Sequence, residues 1–232
     1  GCATRSGQRL LPPSAMAPAY APIITTERKG SSAEGASKVL ITSCDADVGP
    51  ARLGGTALRP SDEGAASAGA LRATDTVDCT LADGVPATAL EGLMAGQAVW
   101  FFCGHADASL NGWRTLAFAH PRGFEMVDAD TLVQMVGRHI DTLKLIVLNG
   151  CKSLHLALRL VDVGVPAVAC WESLVNDEAA FWFGLGFSRS LAAGKLPRAA
   201  FASAVAALLV VTEQGAADQG HSGYVQKFEL AD

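Results

Sequence analysis

Hydrophobic residues in this chain occur in short, unbroken runs, separated by longer segments in which apolar residues recur at helical spacing. Strands that are covered on both faces carry such unbroken runs, because neither face has to be polar. Five strand-like runs follow, of which all but TDTVDC are mainly apolar: KVLIT at 38–42, TDTVDC at 74–79, AVWFFC at 98–103, LKLIVL at 143–148 and PAVAC at 166–170. In the last segment, GYVQKFEL at 223–230, Tyr, Gln and Phe alternate with Val, Lys and Glu, which predicts an edge strand.

Residues that start or stop helices lie between these runs. Pro86 and Gly96 bracket one predicted helix, Asp128 is a favourable N-cap for a second, and Asn176 and Gly194 mark the ends of a third. Strands that alternate with helices predict an α/β fold with a mostly parallel central sheet covered on both faces. Ligands and chemistry in such folds gather beyond the carboxyl ends of the strands.

Three further segments have no sustained strand pattern. The Ala-rich apolar segment 199–211 predicts a core helix, whereas 49–69 is loop-like and predicts at most a short or displaced helix after the first strand. Residues 1–37 are rich in Ala, Ser, Pro and Gly, which is typical of a flexible or linker-like segment. We therefore expect the folded domain to span residues 38–232.

Composition and charge exclude several classes of protein. The 232 residues are 50% apolar and 18% charged, so one domain with a sizeable core can form. The net charge is −5 and Lys and Arg do not cluster, which argues against a nucleic-acid partner. No apolar stretch reaches the roughly 18 residues that a membrane span needs, so we expect no membrane partner.

The six cysteines and the first residue bear on the setting of the chain. The cysteines are widely spaced in a chain too long to need disulfide staples, so we expect a reducing, intracellular compartment, the cytoplasm. The sequence begins at Gly1 rather than Met. We therefore expect a piece of a longer polypeptide, whose other domains would be partners of this one.

Two strand-like runs end in residues that carry chemistry. Gly104 and His105 follow the run at 98–103, and Gly150 and Cys151 closely follow the run at 143–148. Because the carboxyl ends of parallel strands share one edge of a sheet, we expect the imidazole and the thiol at the same rim. A nearby imidazole can take the proton of a cysteine, whose thiolate is the nucleophile. The spacing therefore predicts a His–Cys catalytic dyad.

The residues around this dyad favour acyl transfer. A helix that begins near Ser153 would direct its positive end at Cys151 and favour the thiolate. The backbone N–H groups of Ala106 and Cys151 are candidate oxyanion donors. Glycine at 104 and 150 allows sharp bends and leaves room for a substrate backbone.

Two other interpretations remain open at this point. Free cysteines are often small buried hydrophobes, and a histidine at a strand end is often a satisfied loop residue. Cys103, His105, Cys151 and His155 could also supply two sulfur and two nitrogen ligands to zinc. Neither C-x-H nor C-x-x-x-H is a common structural zinc spacing, so we expect no metal and no cofactor.

Three blocks of the sequence, in order, resemble one family: VWFFCGHAD, LKLIVLNGCKS and GVPAVACWESLVNDEAAFWFGLGFSRSLAAGK. They resemble the His block, the Cys block and the following strand–helix block of CHAT domains, which are caspase-like cysteine peptidases similar to separases. The likeness covers roughly residues 95–210. It implies a caspase-like three-layer sandwich, with His105 as general base and Cys151 as nucleophile of an endopeptidase that cleaves a protein or peptide substrate without a cofactor.

The chain departs from the family at Ala106, where CHAT domains usually carry Gly. This departure keeps an alternative open: a catalytically inactive CHAT module that acts as an interaction or regulatory domain. On the substrate side, metacaspases carry Asp two residues before the cysteine, whereas this chain has Asn149. Glu172 and Asp177 are the remaining acidic candidates, and separases are similar in their Trp-Asp segment. A basic residue at the cleavage site is the resulting expectation, although Asp177 also suits the start of a helix without touching substrate.

Overall fold

The computed structural model of the chain describes residues 37–45, 59–107, 115–172, 175, 177–219 and 228–231. All of the predicted linker except Ser37 lies outside these residues, as do 220–227 of the C-terminal segment. The strands are β1 (Ser37–Cys44), β2 (Val77–Asp83), β3 (Val99–Gly104), β4 (Ala106–Asp107), β5 (Thr115–His120), β6 (Gly123–Val127), β7 (Leu145–Asn149), β8 (Val168–Trp171) and β9 (Phe228–Ala231). The helices are α1 (Pro60–Arg72), α2 (Ala87–Met94), α3 (Ala129–Gly137), α4 (Leu154–Asp162), α5 (Asp177–Ala192) and α6 (Pro197–Gln219).

Six of the strands form a central sheet in the order β2-β1-β3-β7-β8-β9. The first five are parallel, and β9 runs antiparallel along the edge beside β8. Each of the five predicted strands overlaps a strand of this sheet, with β2 a partly exposed edge strand, and the predicted edge strand 223–230 overlaps β9. The α/β fold with a mostly parallel central sheet is therefore confirmed.

Helices cover both faces of the sheet, because consecutive residues of each inner strand point to opposite sides. Phe101 and Val147 point to one face, where they pack with apolar side chains of α1, α5 and α6. Trp100 and Ile146 point to the other face, towards α2, α3 and α4. Because each face of the sheet is covered by an apolar layer, β3 and β7 have no polar residues at 99–103 and 145–148.

The predicted helix ends that fall on described residues agree with the structure, whereas Asn176 lies outside them. The Asp128 carboxylate accepts a hydrogen bond of 2.9 Å from the backbone N–H of Thr131 at the start of α3. Gly194 has φ +75° just after α5, the left-handed conformation that glycine adopts readily at a helix end. The predicted core helix 199–211 lies within α6. None of the described helices combines the length and the apolar character needed to cross a membrane.

Two elements differ from the sequence-based expectation. Within 49–69 the sequence predicts at most a short or displaced helix, but α1 begins at Pro60 and has 13 residues. Its buried positions include Gly64, Ser67 and Ala68, and a Cβ on Gly64 would lie 3.2 Å from the Cβ of Ser43. Small residues let α1 pack closely on the sheet, and a helix of this kind carries little apolar periodicity. The second difference is the small antiparallel sheet β4-β5-β6, which the sequence does not predict.

Candidate active site

A small cleft opens at the carboxyl ends of β3 and β7, with a cavity volume of about 30 Å³. Its lining includes both members of the predicted dyad. The other lining residues that matter below are Glu63, Asn149, Val175 and Asp177. His105 and Cys151 are both half-buried. The structure therefore brings the imidazole and the thiol to one rim, as the sequence predicts.

The pairing of β3 with β7 brings the two turns together. Cys103 is paired with Asn149 in the parallel ladder, so Gly104 and Gly150 follow side by side. A Cβ on Gly150 would lie only 2.7 Å from the carbonyl oxygen of Gly104 and 3.2 Å from the Cβ of Ala106. Contacts this short leave no space for a side chain at residue 150. The glycine thus allows the nucleophile turn to rest directly on the backbone that flanks His105.

Cys151 is held by the backbone of the segment between β8 and α5. Its Sγ accepts a hydrogen bond of 3.3 Å from the N–H of Val175, and it lies 3.7 Å from the carbonyl oxygen of Val175, to which the thiol donates. Burial raises the pKa of the Cys151 thiol; the Val175 N–H opposes this rise, and the Asp177 carboxylate adds to it. The thiol is therefore neutral at pH 7 in the free chain.

The turn that carries Cys151 is tied to its neighbours on both sides. The Ser153 hydroxyl donates to the carbonyl oxygen of Gly150 at 2.9 Å and accepts from the backbone N–H of Trp171 at 3.2 Å. On the other side, the Asn149 side-chain amide accepts from the Trp171 indole N–H and donates to the carbonyl oxygen of Ala180 at 2.8 Å. The strand β8 and the helix α5 thus fix the two ends of the turn.

Asn149 is occupied by these interior partners. Its amide N–H also donates to the Glu63 carboxyl group, and the residue is only 2% exposed. Each polar atom of this side chain has a partner inside the protein. The structure therefore gives Asn149 a structural task beneath the cleft rather than a free group in it.

Glu63 is a site residue that the sequence reasoning misses. It lies in the first turn of α1, is 5% exposed, and reaches the floor of the cleft beside Asn149. Burial raises its pKa to about 8, although the hydrogen bonds with Asn149 and Cys103 oppose the rise, and the Asp177 charge adds to it. A carboxyl group in a segment of small residues gave no local signal, because its burial depends on strands far away in the sequence.

Ala106 lies in β4 beneath the cleft and is 8% exposed. The backbone oxygen of His105 accepts a hydrogen bond of 2.9 Å from Ala117, so residues 105 and 117 are a bonded pair of the β4–β5 ladder. Bonded and non-bonded pairs alternate in antiparallel ladders, and the N–H of residue 106 therefore points away from β5. Its nitrogen would lie 3.4 Å from a Cβ on Gly150. The nitrogen of Ala106 thus lies beside the nucleophile turn, and its N–H is not used by β5.

The two acidic substrate-binding candidates are placed differently. Asp177, the first residue of α5, is exposed and lines the cleft, whereas Glu172 is not part of its lining. A cation also stands at the rim, because Arg59 lines the cleft and pairs with Asp62 at 3.4 Å and Asp45 at 3.8 Å. Asp177 is therefore the candidate acid that can meet a ligand in the cleft.

The zinc interpretation is not supported by the arrangement of its four candidate ligands. Cys103 is fully buried on the face covered by α1 and α5, while His155 is exposed on α4, which covers the opposite face. Within the part of the chain that the structure describes, no three His, Cys, Asp or Glu side chains are grouped so that they could hold a metal ion.

Comparison with solved structures identifies the fold. The chain resembles the Arg-specific cysteine proteinase gingipain R with a TM-score of 0.52 and 14% identity, over 74% of this chain and 41% of the gingipain chain. The fold is caspase-like. This chain thus spans about two-fifths of the length of that proteinase. At 14% identity the likeness shows the fold, and neither the activity nor the substrate of gingipain follows from it.

Other comparisons add little to this conclusion. The Drosophila initiator caspase Dronc aligns with a TM-score of 0.39 and 11% identity, over 74% of this chain and 76% of that one. A pyridoxal kinase from Staphylococcus aureus aligns with a TM-score of 0.38 and 11% identity, over 75% of this chain and 87% of that one. Scores this low carry no argument about either protein. No protein-family model matches the chain, and no curated protein matches it significantly.

Proposed function

We propose that this chain is a cysteine endopeptidase domain of the CHAT type, and that it cleaves a protein or peptide substrate through His105 and Cys151. The observation that carries the proposal is the direct contact between the turns after β3 and β7, because it joins an imidazole and a thiol in one cleft. The sequence blocks that resemble CHAT domains include both turns. The caspase-like fold is the scaffold that such a peptidase would use.

The reaction follows from the chemistry of the two side chains. The thiol proton of Cys151 passes to His105 as the sulfur attacks the carbonyl carbon of the scissile bond. The tetrahedral intermediate collapses, the amine leaves with the proton from His105, and an acyl group remains on the sulfur as a thioester. A water molecule activated by His105 then hydrolyses the thioester and restores the thiol. The reaction as proposed uses no cofactor.

Backbone groups beneath the cleft suit stabilisation of the oxyanion. The N–H of Ala106 points away from β5, and its nitrogen lies beside the Gly150 turn. Donors of this kind contribute most when they are fixed before the reaction, and membership of β4 fixes this one. Alanine keeps the donor because its N–H belongs to the backbone, and residue 106 has a negative φ, which alanine adopts without strain.

A basic residue at the cleavage site is the substrate preference that we propose. Asp177 is exposed at the cleft, so a cationic side chain that entered would approach its carboxylate; Glu63 on the floor is mainly protonated at pH 7 and adds no charge. Arg59 at the rim already pairs with Asp45 and Asp62. Attraction to the cleft would therefore favour lysine or arginine over an acidic residue.

A second candidate function is that of a catalytically inactive CHAT module. The observation that favours it is the state of the nucleophile: the Cys151 thiol is neutral, half-buried and bonded to the Val175 backbone. Such a module would bind a partner or regulate neighbouring domains of a longer polypeptide. In either case we propose an intracellular, cytoplasmic protein without a nucleic-acid or membrane partner.

Labelling with a peptide-based electrophile separates the two functions. A peptide with a basic residue next to an acyloxymethyl ketone should modify Cys151, and the matched variant His105→Ala should be modified much more slowly. Cleavage of a peptide library should disappear in Cys151→Ala. If neither labelling nor cleavage occurs, even with neighbouring domains present, the interaction module is the correct function.

A further inference from the structure

The charges around the Cys151 sulfur raise the question of how a neutral thiol becomes a nucleophile. Asp177 on α5 and Glu63 on α1 line the same cleft as Cys151, and so does His105 from the turn after β3. Arg59 also lines the cleft, but its guanidinium pairs with Asp45 and Asp62. Lys152 is the cation next to the thiol in its own turn. The carboxylate of Asp177 has the stronger effect of the two oppositely charged neighbours, and it disfavours the thiolate.

Asp177 is also close in sequence to the residue that holds the sulfur. The backbone that holds the Sγ belongs to Val175, two residues before Asp177 in the segment that leads into α5. The same carboxylate adds to the raised pKa of Glu63 on the floor of the cleft. Asp177 thus acts on both buried acids of the site, the thiol and the carboxyl group.

We propose that Asp177 is a positioning residue that tunes the Cys151 nucleophile: in the empty cleft its carboxylate adds to the effect of burial in disfavouring the thiolate, and a cationic group bound beside it removes this addition. The inference rests on the proposed function only in taking the cation to be the basic side chain of the substrate. The cation cancels the field of the carboxylate at the sulfur, so the proton can pass to His105 more easily. A substrate with the right charge thereby activates the group that attacks it.

This arrangement has a chemical consequence for selectivity. A protein with an exposed, permanently ionised cysteine reacts with any electrophile that reaches it. Here the reactive form gains a few-fold when a cation occupies the cleft. Neutral or acidic peptides would meet a less reactive thiol even where they fit, so selection occurs in the chemical step as well as in binding.

The test measures how fast iodoacetamide, which is small and uncharged, alkylates Cys151 across a range of pH. The rates are read by mass spectrometry of the cysteine-containing peptides. The variants are Asp177→Asn, which removes one charge at the cleft, and Glu178→Gln, which removes one charge from the same exposed helix turn outside the cleft lining. Each protein is measured with and without methylguanidinium chloride, at ionic strength matched with sodium chloride.

Asp177→Asn should shift the rate profile of Cys151 to lower pH and raise the rate at neutral pH by about two- to fivefold, the range that exposed charge pairs give. Glu178→Gln should follow the wild-type profile. Methylguanidinium should raise the alkylation rate of Cys151 in the wild type and leave the rate in Asp177→Asn unchanged. The wild-type measurement does not depend on any variant folding correctly. The proposal is wrong if Asp177→Asn reacts no faster than wild type, or if methylguanidinium has no effect or accelerates both proteins equally.

The result is separate from the test of peptidase function, because iodoacetamide reports the thiol whether or not any peptide is cut. If the charge effect appears but no peptide is cleaved, the peptidase function fails and the control of the thiol by Asp177 stands. If peptides are cleaved but the charge effect is absent, the reverse holds.

Discussion

The contact between the two turns of the site predicts that Gly150→Ala destabilises the protein. The new methyl carbon would lie 2.7 Å from the carbonyl oxygen of Gly104 and 3.2 Å from the Cβ of Ala106. Neither neighbour is the end of a flexible side chain, so β3 and β7 would have to separate where their turns meet. The conformation of residue 150 itself is not a problem, since its φ is outside the left-handed region.

The size of the effect is the difference between two terms. An extra methyl group in a packed position costs about 1–3 kcal/mol. Replacing glycine also reduces the freedom of the unfolded chain, which returns about 0.4–1 kcal/mol. We expect the free energy of unfolding to fall by about 1–2 kcal/mol. Catalysis should suffer more than stability, because a displacement of about 1 Å between reacting groups can cost roughly 100-fold in rate.

Urea unfolding followed by circular dichroism measures the stability term. The matched control is Gly92→Ala in α2, where the new Cβ would meet nothing within 4 Å. This control should stabilise the protein by about 0.5–1 kcal/mol, because it carries the entropic gain without the clash. The two variants should therefore shift the unfolding midpoint in opposite directions. A midpoint for Gly150→Ala at or above that of wild type would refute the close contact of the turns.

Three further substitutions test other parts of the site. Folding raises the pKa of Glu63 from 4.5 to about 8, so the free energy of unfolding should fall as pH rises between these values. In urea unfolding, Glu63→Gln should flatten this pH dependence by up to about 1.4 kcal/mol per pH unit. The same pH dependence in wild type and variant would contradict a buried proton on Glu63. Ala106→Gly should lower the free energy of unfolding by about 1–2 kcal/mol, yet preserve or raise cleavage of a peptide with a basic residue at the cleavage site. Loss of cleavage would show that residue 106 does not act through its backbone N–H alone. Trp171→Phe leaves the side-chain oxygen of Asn149 without its donor, so the free energy of unfolding should fall by about 1–3 kcal/mol. The control Trp100→Phe, far from the cleft, loses a 2.9 Å hydrogen bond to Thr42 and should have a similar cost, but only Trp171→Phe should also change the alkylation rate of Cys151.

The inner strands and the shared position of His105 and Cys151 could be predicted because their signals are local. Each inner strand is largely a run of apolar residues, and His105 and Cys151 come one and two residues after β3 and β7 end. Parallel pairing then requires both residues to lie at one edge of the sheet. The pattern and the rules of α/β topology thus account for the shared edge, while the adjacency of β3 and β7 and the contact of their turns are seen in the structure.

The electrostatic state of the site could not be predicted in the same way. Glu63 and Asn149 are 86 residues apart, and nothing near Glu63 in the sequence indicates that its carboxyl group is buried. The same holds for the thiol of Cys151, whose pKa depends on Val175 and Asp177 from a different segment. Burial comes first among the causes that raise this pKa, and the neighbouring Asp177 charge adds to it. The burial and the pKa values of Glu63 and Cys151 depend on contacts between distant segments, which cannot be read from the residues next to them in the sequence.

The double attachment of Trp171 gives the nucleophile turn an unusual mechanical character. A loop at the end of a strand ordinarily opens on its own, and its amides exchange with solvent long before the core does. Here one residue of β8 bonds to Ser153 through its backbone and to Asn149 through its indole, on either side of Cys151. The turn therefore belongs to the same cooperative unit as β7 and β8. Mild heating should then leave the dyad geometry intact until the sheet itself unfolds, so that amide protection of Trp171 and reactivity of the site disappear in a single step.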